Sequence, residues 1–347
     1  MPRLLILFPC SHLGNLLIAL PHLRAMLCAH TDALLVVDER YQALVAQSLP
    51  GEQRLLFYPE QALSRSQSLW KRIRRYLAFV RAMRRFKADI SVDIEGEQKS
   101  ATLSRLCGAA TRIGPPRRHG RWFYSLSLEP DWQGHRWHSY ASLSQPAAPS
   151  ARYLPLADCP GSDAAVRNLL SGQAENTCLV VHVGATKTYK MWHPEQFASL
   201  CQRARRAGLT PVLIGAGHKD RMQIARVQSF LCEPVLDLCD QLTLSELISL
   251  LQHSQGYVGN DSGPMHLAAA CGIPVVALFG PTDEHIWHPL SDQARVLRWQ
   301  PCAAKCQRSN CVRDSYPCLQ RITVDQVMDT LSELGVIPRP QAQRISR

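Results

Sequence analysis

No stretch of this 347-residue chain stays apolar long enough to cross a bilayer, which excludes a helical integral membrane protein. The opening run, MPRLLILFPCSHLGN, breaks at Pro9 and continues as polar sequence. It lacks the sustained apolar core of a signal peptide and reads as a first β-strand. No short-period repeat and no low-complexity tract interrupts the chain, so a solenoid or a disordered scaffold is excluded. No C-x2-C pair occurs among the 13 cysteines, which removes the usual signature of a zinc ribbon. With no export signal in view, these cysteines are expected to be reduced thiols, most of them small core residues. Acid is scarce: 28 Asp and Glu face 39 Lys and Arg, a net charge of +11, and residues 61–88 hold no acid at all. Such an excess calls for an anionic partner, whether nucleic acid, an anionic membrane surface or a phosphorylated substrate. No recognisable nucleic-acid-binding module is present, so nucleic acid ranks last of the three.

What the chain does have is an alternation of strands and helices that starts twice. In the first half, strands are expected at 4–8, 33–37, 54–58 and 90–94, with helices at 14–27 and 65–87. Within 65–87, Leu69, Ile73, Leu77, Val80 and Met83 recur at helical spacing and are expected to be its buried face. Basic residues, Arg72 and Arg75 among them, surround the rest. Residues 115–138, rich in Arg, His and Trp, read as loop and edge structure. Between 146 and 174 the composition turns to Pro, Ala, Ser, Gly and Asp. A boundary falls there, giving domains at 1–158 and 177–338, a linker at 159–176 and a frayed tail at 339–347. The second half repeats the pattern, with strands at 179–183, 211–214, 256–258 and 275–279 and helices at 194–207, 219–230, 244–252 and 265–270. Two α/β domains with parallel, doubly wound sheets are therefore expected, each binding ligands at the carboxyl ends of its strands. The cleft between two such domains is the default site.

Residues 258–281, VGNDSGPMHLAAACGIPVVALFGP, carry the most chemical information. A strand runs into Asn260-Asp261-Ser262-Gly263, and Pro264 stands where a first helical residue would, its missing N–H no loss there. A helix N-terminus at the end of a parallel strand is an anion site, because unpaired N–H groups and the helix dipole both favour phosphate. Asp261 repels phosphate but suits sugar hydroxyls, so the turn reads as a nucleotide-sugar site. It also reads as a plain capped turn with Asp261 or Ser262 as N-cap, and residue chemistry alone leaves the two level.

NDSGPMHLAAACGIPVVALFGPTD resembles the hallmark of the family 9 glycosyltransferases, the lipopolysaccharide heptosyltransferases. LLILFPCSHLGNLLIALPHLRAM, SVDIEGEQKSATLSRLCGA, HVGATKTYKMWHPEQFASL and VLDLCDQLTLSELISLLQHS are similar to other segments of that family, in the same order, and carry the resemblance to about Val327. It implies a GT-B fold, two Rossmann-like domains facing across a cleft, with the donor held mainly by the second. It implies an ADP-activated heptose as donor and a phosphorylated, lipid-linked core glycan as acceptor, joined by one inverting displacement without a metal. Carried over by position, Asp261 would hold sugar hydroxyls, and the N–H groups of Ser262 and Gly263 the diphosphate. Lys190 would neutralise the leaving charge, Thr186 or Lys187 would add a phosphate contact, and His266 would either touch phosphate or cap its own helix.

The family's first loop reads Leu-Gly-Asp, and that Asp is the implied base. Here it reads Leu13-Gly14-Asn15, and an amide has no lone pair basic enough to take a proton. Asp93 or Glu95 could replace it, Asn15 could merely position the hydroxyl, or the chain could be a catalytically weak or inactive relative that binds nucleotide sugar or glycan. Cys302, Cys306, Cys311 and Cys318 fall in a short segment and could bind zinc or iron, though a reduced Cys-rich loop is favoured and no cofactor is required. The basic helix, extended by Arg117, Arg118 and Arg121, fits a phosphorylated lipid acceptor and the inner face of the cytoplasmic membrane.

Overall fold

The computed structural model describes residues 2–49, 54–64, 66–118, 120–132, 134–157, 160–170, 177–299 and 317–338. The chain divides into two compact units, Met1–Ala157 and Asp158–Arg347.

The first unit runs β1 (Leu4–Phe8), α1 (Leu13–Ala29), β2 (Ala33–Asp38), α2 (Gln42–Ser48), β3 (Leu55–Tyr58), α3 (Leu69–Arg85), β4 (Ile90–Asp93), α4 (Gln98–Leu106), β5 (Thr111–Gly114), α5 (Gly120–Phe123), β6 (Leu126–Ser127) and α6 (Arg136–Leu143). Its strands are all parallel, in the order β3-β2-β1-β4-β5-β6. The central strand LLILF is buried at every position, as a parallel strand covered on both faces must be. Leu5, Leu7, Val36, Phe79, Met83 and Leu103 join sheet and helices in one core.

The second unit runs α7 (Pro160–Leu169), β7 (Cys178–His182), α8 (Pro194–Arg206), β8 (Thr210–Ile214), α9 (Gly217–Ser229), β9 (Leu236–Asp237), α10 (Leu244–Gln252), β10 (Gly256–Asn260), α11 (Gly263–Ala270), β11 (Val275–Phe279), α12 (Glu284–Trp287), β12 (Ala294–Arg298), α13 (Pro317–Gln320) and α14 (Val324–Glu333). Its order, β12-β11-β10-β7-β8-β9, repeats that of the first sheet when each unit's strands are counted from its own start. In both sheets the strand order reverses at one place, between β1 and β4 in the first and between β7 and β10 in the second. The crevice outside the carboxyl ends of those strand pairs is where such sheets take ligands.

Three expectations need correcting. The stretch 159–176 is not simply a linker, because α7 packs on α10, buries Val166 and accepts a hydrogen bond from the Ser249 hydroxyl on Asp163. Pro160 and the Gly-Ser-Asp after it are helix-start residues as much as linker residues. Residues 115–138 supply loop and the edge strand β6 as expected, but they also hold the short α5 and the start of α6 at Arg136. Thirdly, the apolar stripe of α3 is buried only in its second half. Phe79, Val80 and Met83 enter the core, whereas Leu69 is 63% exposed, Ile73 40% and Leu77 44%, beside a 77% exposed Trp70. The first half of α3 overhangs a groove of about 650 Å³ floored by Tyr58, Leu63, Lys99 and Thr102, so its apolar residues have no sheet to cover them. The tail 339–347 lies outside the described residues.

Candidate functional site

At the reversal point of the second sheet, β10 delivers Asn260, Asp261 and Ser262 to the start of α11. Asn260 is fully buried and acts as a clasp. Its Nδ2 donates to the carbonyls of Val183 (2.9 Å) and Gly184 (3.3 Å), and its Oδ1 accepts from the Trp192 N–H at 2.9 Å. This fixes the loop after β7 against the end of β10. Within that loop Lys187 and Thr186 are exposed, and a single 3-10 turn, Thr188–Lys190, aims Lys190 back at the turn. The Lys190 ammonium donates to Asp261 Oδ2 at 2.7 Å, with both side chains largely shielded from solvent. An ammonium has three protons to give, so the pair still offers positive charge and donors to an anion beside it. Ser262 occupies the N-cap position of α11, yet its side chain does not cap the helix. It turns instead toward the Asn260 carbonyl at 3.0 Å and His182 Nδ1 at 3.1 Å. Pro264 has no N–H to satisfy, and among the described residues no side chain caps the first turn at Gly263, the arrangement that favours phosphate.

His182 closes β7 and continues the chain of contacts to Asp220 on α9, with Nε2 3.4 Å from Oδ2. Burial alone would raise the Asp220 carboxyl, but its hydrogen bonds with His182 and the Ala216 N–H outweigh that and hold it below the usual range. The backbone makes room for this carboxylate: a methyl group at Gly184 would meet Asp220 Oδ1 at 2.0 Å, and one at Gly215 would meet its Cβ at 2.7 Å. His182, Asp220 and Asn260 have no assigned role in the sequence analysis. The signals were present, a histidine ending an apolar strand and an acid following Gly-Ala-Gly, but only the adjacency of β7, β8 and β10 joins them. His266 is buried, and burial pushes its pKa down to about 4 against the pull of Asp261. It is neutral near pH 7 and could serve phosphate only as an N–H donor, not as a cation.

The first unit has a matching constellation at its own reversal point. Asn15 lies half-buried in the first turn of α1, just after β1. Asp93 ends β4 and is fully buried. It accepts from the Gly96 N–H at 2.9 Å and the Tyr124 hydroxyl at 2.5 Å, and burial nonetheless pushes it up to about 6. Glu95 is 7% exposed, is pushed up to about 7 by burial, and leaves Oε2 without a hydrogen-bond partner among the described residues. Cys10, also buried, donates its thiol to the His12 carbonyl at 3.8 Å, and burial, with Glu95 nearby, raises the thiol far above the ordinary range.

The basic candidates differ in their settings. Arg72 lines the groove under α3 with Gln98 and Lys99, while Arg75 and Arg118 are exposed. Arg117 turns inward, donating to the Gly96 carbonyl and to Gln98 Oε1. Arg121 belongs to α5, its side chain outside the described part. Of the cysteine cluster, Cys302, Cys306 and Cys311 lie outside the described residues, and Cys318 sits half-buried on α13.

The model of glycosyltransferase family 9 (heptosyltransferase) matches residues 76–316. The chain is 27% identical over 232 residues to lipopolysaccharide heptosyltransferase 3 of Escherichia coli, covering 64% of this chain and 68% of that one. Two solved structures share the fold: a family 9 glycosyltransferase from Veillonella parvula (TM-score 0.81, 22% identity, 96% and 97% of the two chains) and the E. coli ADP-heptose lipopolysaccharide heptosyltransferase II (TM-score 0.76, 22% identity, 96% and 98%).

Proposed function

We propose, from the premise that the chain belongs to glycosyltransferase family 9 (heptosyltransferase), that it moves a heptose from ADP-heptose to a lipopolysaccharide core acceptor by one inverting displacement. The observation that carries this reading is the Lys190–Asp261 pair, 2.7 Å apart at the mouth of α11. Diphosphate and sugar make opposite electrostatic demands, and here a cation, a helix N-terminus and a shielded carboxylate stand side by side to meet both. In the reaction the acceptor oxygen attacks the anomeric carbon from the face opposite the departing ADP, which inverts that centre. Lys190 and the N–H groups of Ser262 and Gly263 stabilise the charge that gathers on the diphosphate. Asp261 holds the sugar hydroxyls, Thr186 and Lys187 reach the phosphates from the loop, and buried, neutral His266 adds an N–H donor. ADP-heptose as donor is supported by the heptosyltransferase II of like fold, and the lipopolysaccharide acceptor by the E. coli relative.

The acceptor side belongs to the first unit. The exposed apolar edge of α3, with Lys71, Arg72, Arg74 and Arg75 around it, suits a helix lying in the headgroup region of an anionic membrane. A lipid-linked acceptor would be met at the inner face of the cytoplasmic membrane. Among the described residues no helix is long and apolar enough to cross one.

A second reading, donor binding without turnover, is favoured by Asn15, which stands where the family places its base. Calorimetric titration with ADP-heptose, UDP-glucose and GDP-mannose tests the donor assignment shared by both readings. ADP-heptose alone should bind, and Asp261→Asn should weaken it. Equal binding of all three, or of none, would refute the assignment.

A further inference from the structure

The first unit holds a carboxylate oxygen that the fold does not satisfy. Buried polar atoms are almost always hydrogen-bonded, and a single buried oxygen left unpaired calls for an explanation. Glu95 Oε2 is such an atom, on a side chain that is 93% shielded, at the carboxyl end of β4 and so at the reversal point of the first sheet. Asn15 approaches that point from the adjacent strand β1, through the first turn of α1. Cys10 lies beside both: its thiol donates to the His12 carbonyl at 3.8 Å, burial and Glu95 push its pKa up, and Asn15 pulls it down. We propose that Glu95 is the general base of the transfer, with Asn15 and Cys10 as its positioning residues. This rests on the transferase reading above.

Asp93 is a poorer candidate, although it lies two residues away. One of its oxygens is taken by the Gly96 N–H and the other by the Tyr124 hydroxyl, so it shapes the turn that presents Glu95. Glu95 Oε2, by contrast, has no hydrogen-bond partner among the described residues. Its charged surroundings are mixed. Lys99 of α4 favours the carboxylate, whereas Asp93 and Glu97 disfavour it, and Tyr140 of α6 senses the same charge. Lys99 is itself steadied by Glu60 at 3.0 Å and Asp38 at 4.0 Å, so it lends partial positive potential without closing on Glu95. Burial outweighs these neighbours and brings the group to about 7, where a base is half ionised at working pH yet strong enough to draw a proton.

Asparagine at position 15 then acquires a reason. A carboxylate there would lie beside the same sulfur as Glu95, and two anions in so shielded a place cannot both ionise readily. One carboxylate per crevice is the electrostatic limit, and in this chain it stands on β4 instead of α1. In the step itself the acceptor O–H proton passes to the Glu95 carboxylate as the oxygen's electron pair forms the bond to the anomeric carbon. The bond from that carbon to the diphosphate oxygen breaks, and its electron pair leaves with ADP. Glu95 afterwards returns the proton to water.

The test uses the full chain with ADP-heptose and a heptose-deficient lipopolysaccharide, comparing wild type, Glu95→Gln, Asn15→Asp and the double variant Glu95→Gln/Asn15→Asp. Circular dichroism checks the fold, and calorimetry follows ADP-heptose binding. Glu95→Gln should lower kcat by about 10²–10⁴-fold with donor affinity unchanged, and should abolish the acid limb of the pH–rate profile near 7. Asn15→Asp alone should move that limb upward, through like-charge repulsion. The double variant should regain at least tenfold over Glu95→Gln, with its limb at lower pH. Activity of Glu95→Gln within threefold of wild type, or an unmoved limb, would overturn the assignment while leaving the transferase intact. A wild-type chain that binds ADP-heptose but transfers to no acceptor would overturn the transferase reading and this assignment with it.

Discussion

Removing the Glu95 charge should stabilise the first unit at pH 8 and change little at pH 5. The carboxyl moves from the ordinary 4.5 to about 7 on folding, and burial is the largest cause. A group whose folded pKa is raised binds its proton more tightly in the native state. Its favourable contribution is complete below the unfolded value and is lost as pH climbs through the folded one. The interval from 4.5 to about 7 corresponds to about 3 kcal/mol at pH 8, and the side chain is too shielded for solvent to discount it strongly. Glutamine keeps the shape and never ionises. Its own buried amide is a burden at both pH values, so the informative quantity is the difference between them. Other titrating groups act alike in both proteins, except that Asp93 should relax slightly once its charged neighbour is gone. For a unit of this size about 3 kcal/mol corresponds to roughly 5–10 °C in Tm. Differential scanning calorimetry at pH 5 and pH 8 should therefore show Glu95→Gln gaining several degrees on wild type between the two conditions. An equal offset at both would refute the claim that Glu95 is a buried acid poised near neutrality.

Other outcomes follow from the same geometry. Asp261→Asn should weaken ADP-heptose binding by roughly 10–100-fold, since it removes the negative charge that strengthens the bonds to sugar hydroxyls and holds Lys190, and calorimetry measures this directly. Lys190→Ala should lower kcat by about 10²–10³-fold, as loss of a leaving-group stabiliser does, while an unchanged single-turnover rate would count against its role. Trp70→Glu should leave Tm within a degree or so, because the indole is largely exposed, yet reduce co-sedimentation with vesicles rich in anionic lipid, and undiminished binding would contradict the docking of α3.

Much of this was legible in the chain because its local signals agree with its fold. The run LLILF could only be a strand buried on both faces, and Asn-Asp-Ser-Gly-Pro between a strand and an Ala-rich stretch could only start a helix. The two-sheet architecture followed from alternation alone, whereas the roles of Asp261 and Lys190 at one site came from the family resemblance. Periodicity along α3 showed which residues share a face, but not whether the fold would cover that face, and half of it lies open. The helix α14, with its Thr323–Gln326 capping box and buried Val327 and Leu331, carries a clear N-terminal signature although it is not among the expected helices. Contacts such as His182 with Asp220 depend on sheet order, which no local pattern reports. The same holds for the grouping of Asn15, Cys10 and Glu95, which changes the meaning of the missing aspartate.

The central claim is transfer itself. Incubating the purified chain with ADP-heptose and a heptose-deficient lipopolysaccharide, then weighing the glycolipid by mass spectrometry beside the ADP released, tests it most directly. One added heptose per acceptor, matched mole for mole by ADP and lost with Asp261→Asn, is the predicted result. ADP release with no gain in acceptor mass, or neither event, would contradict it.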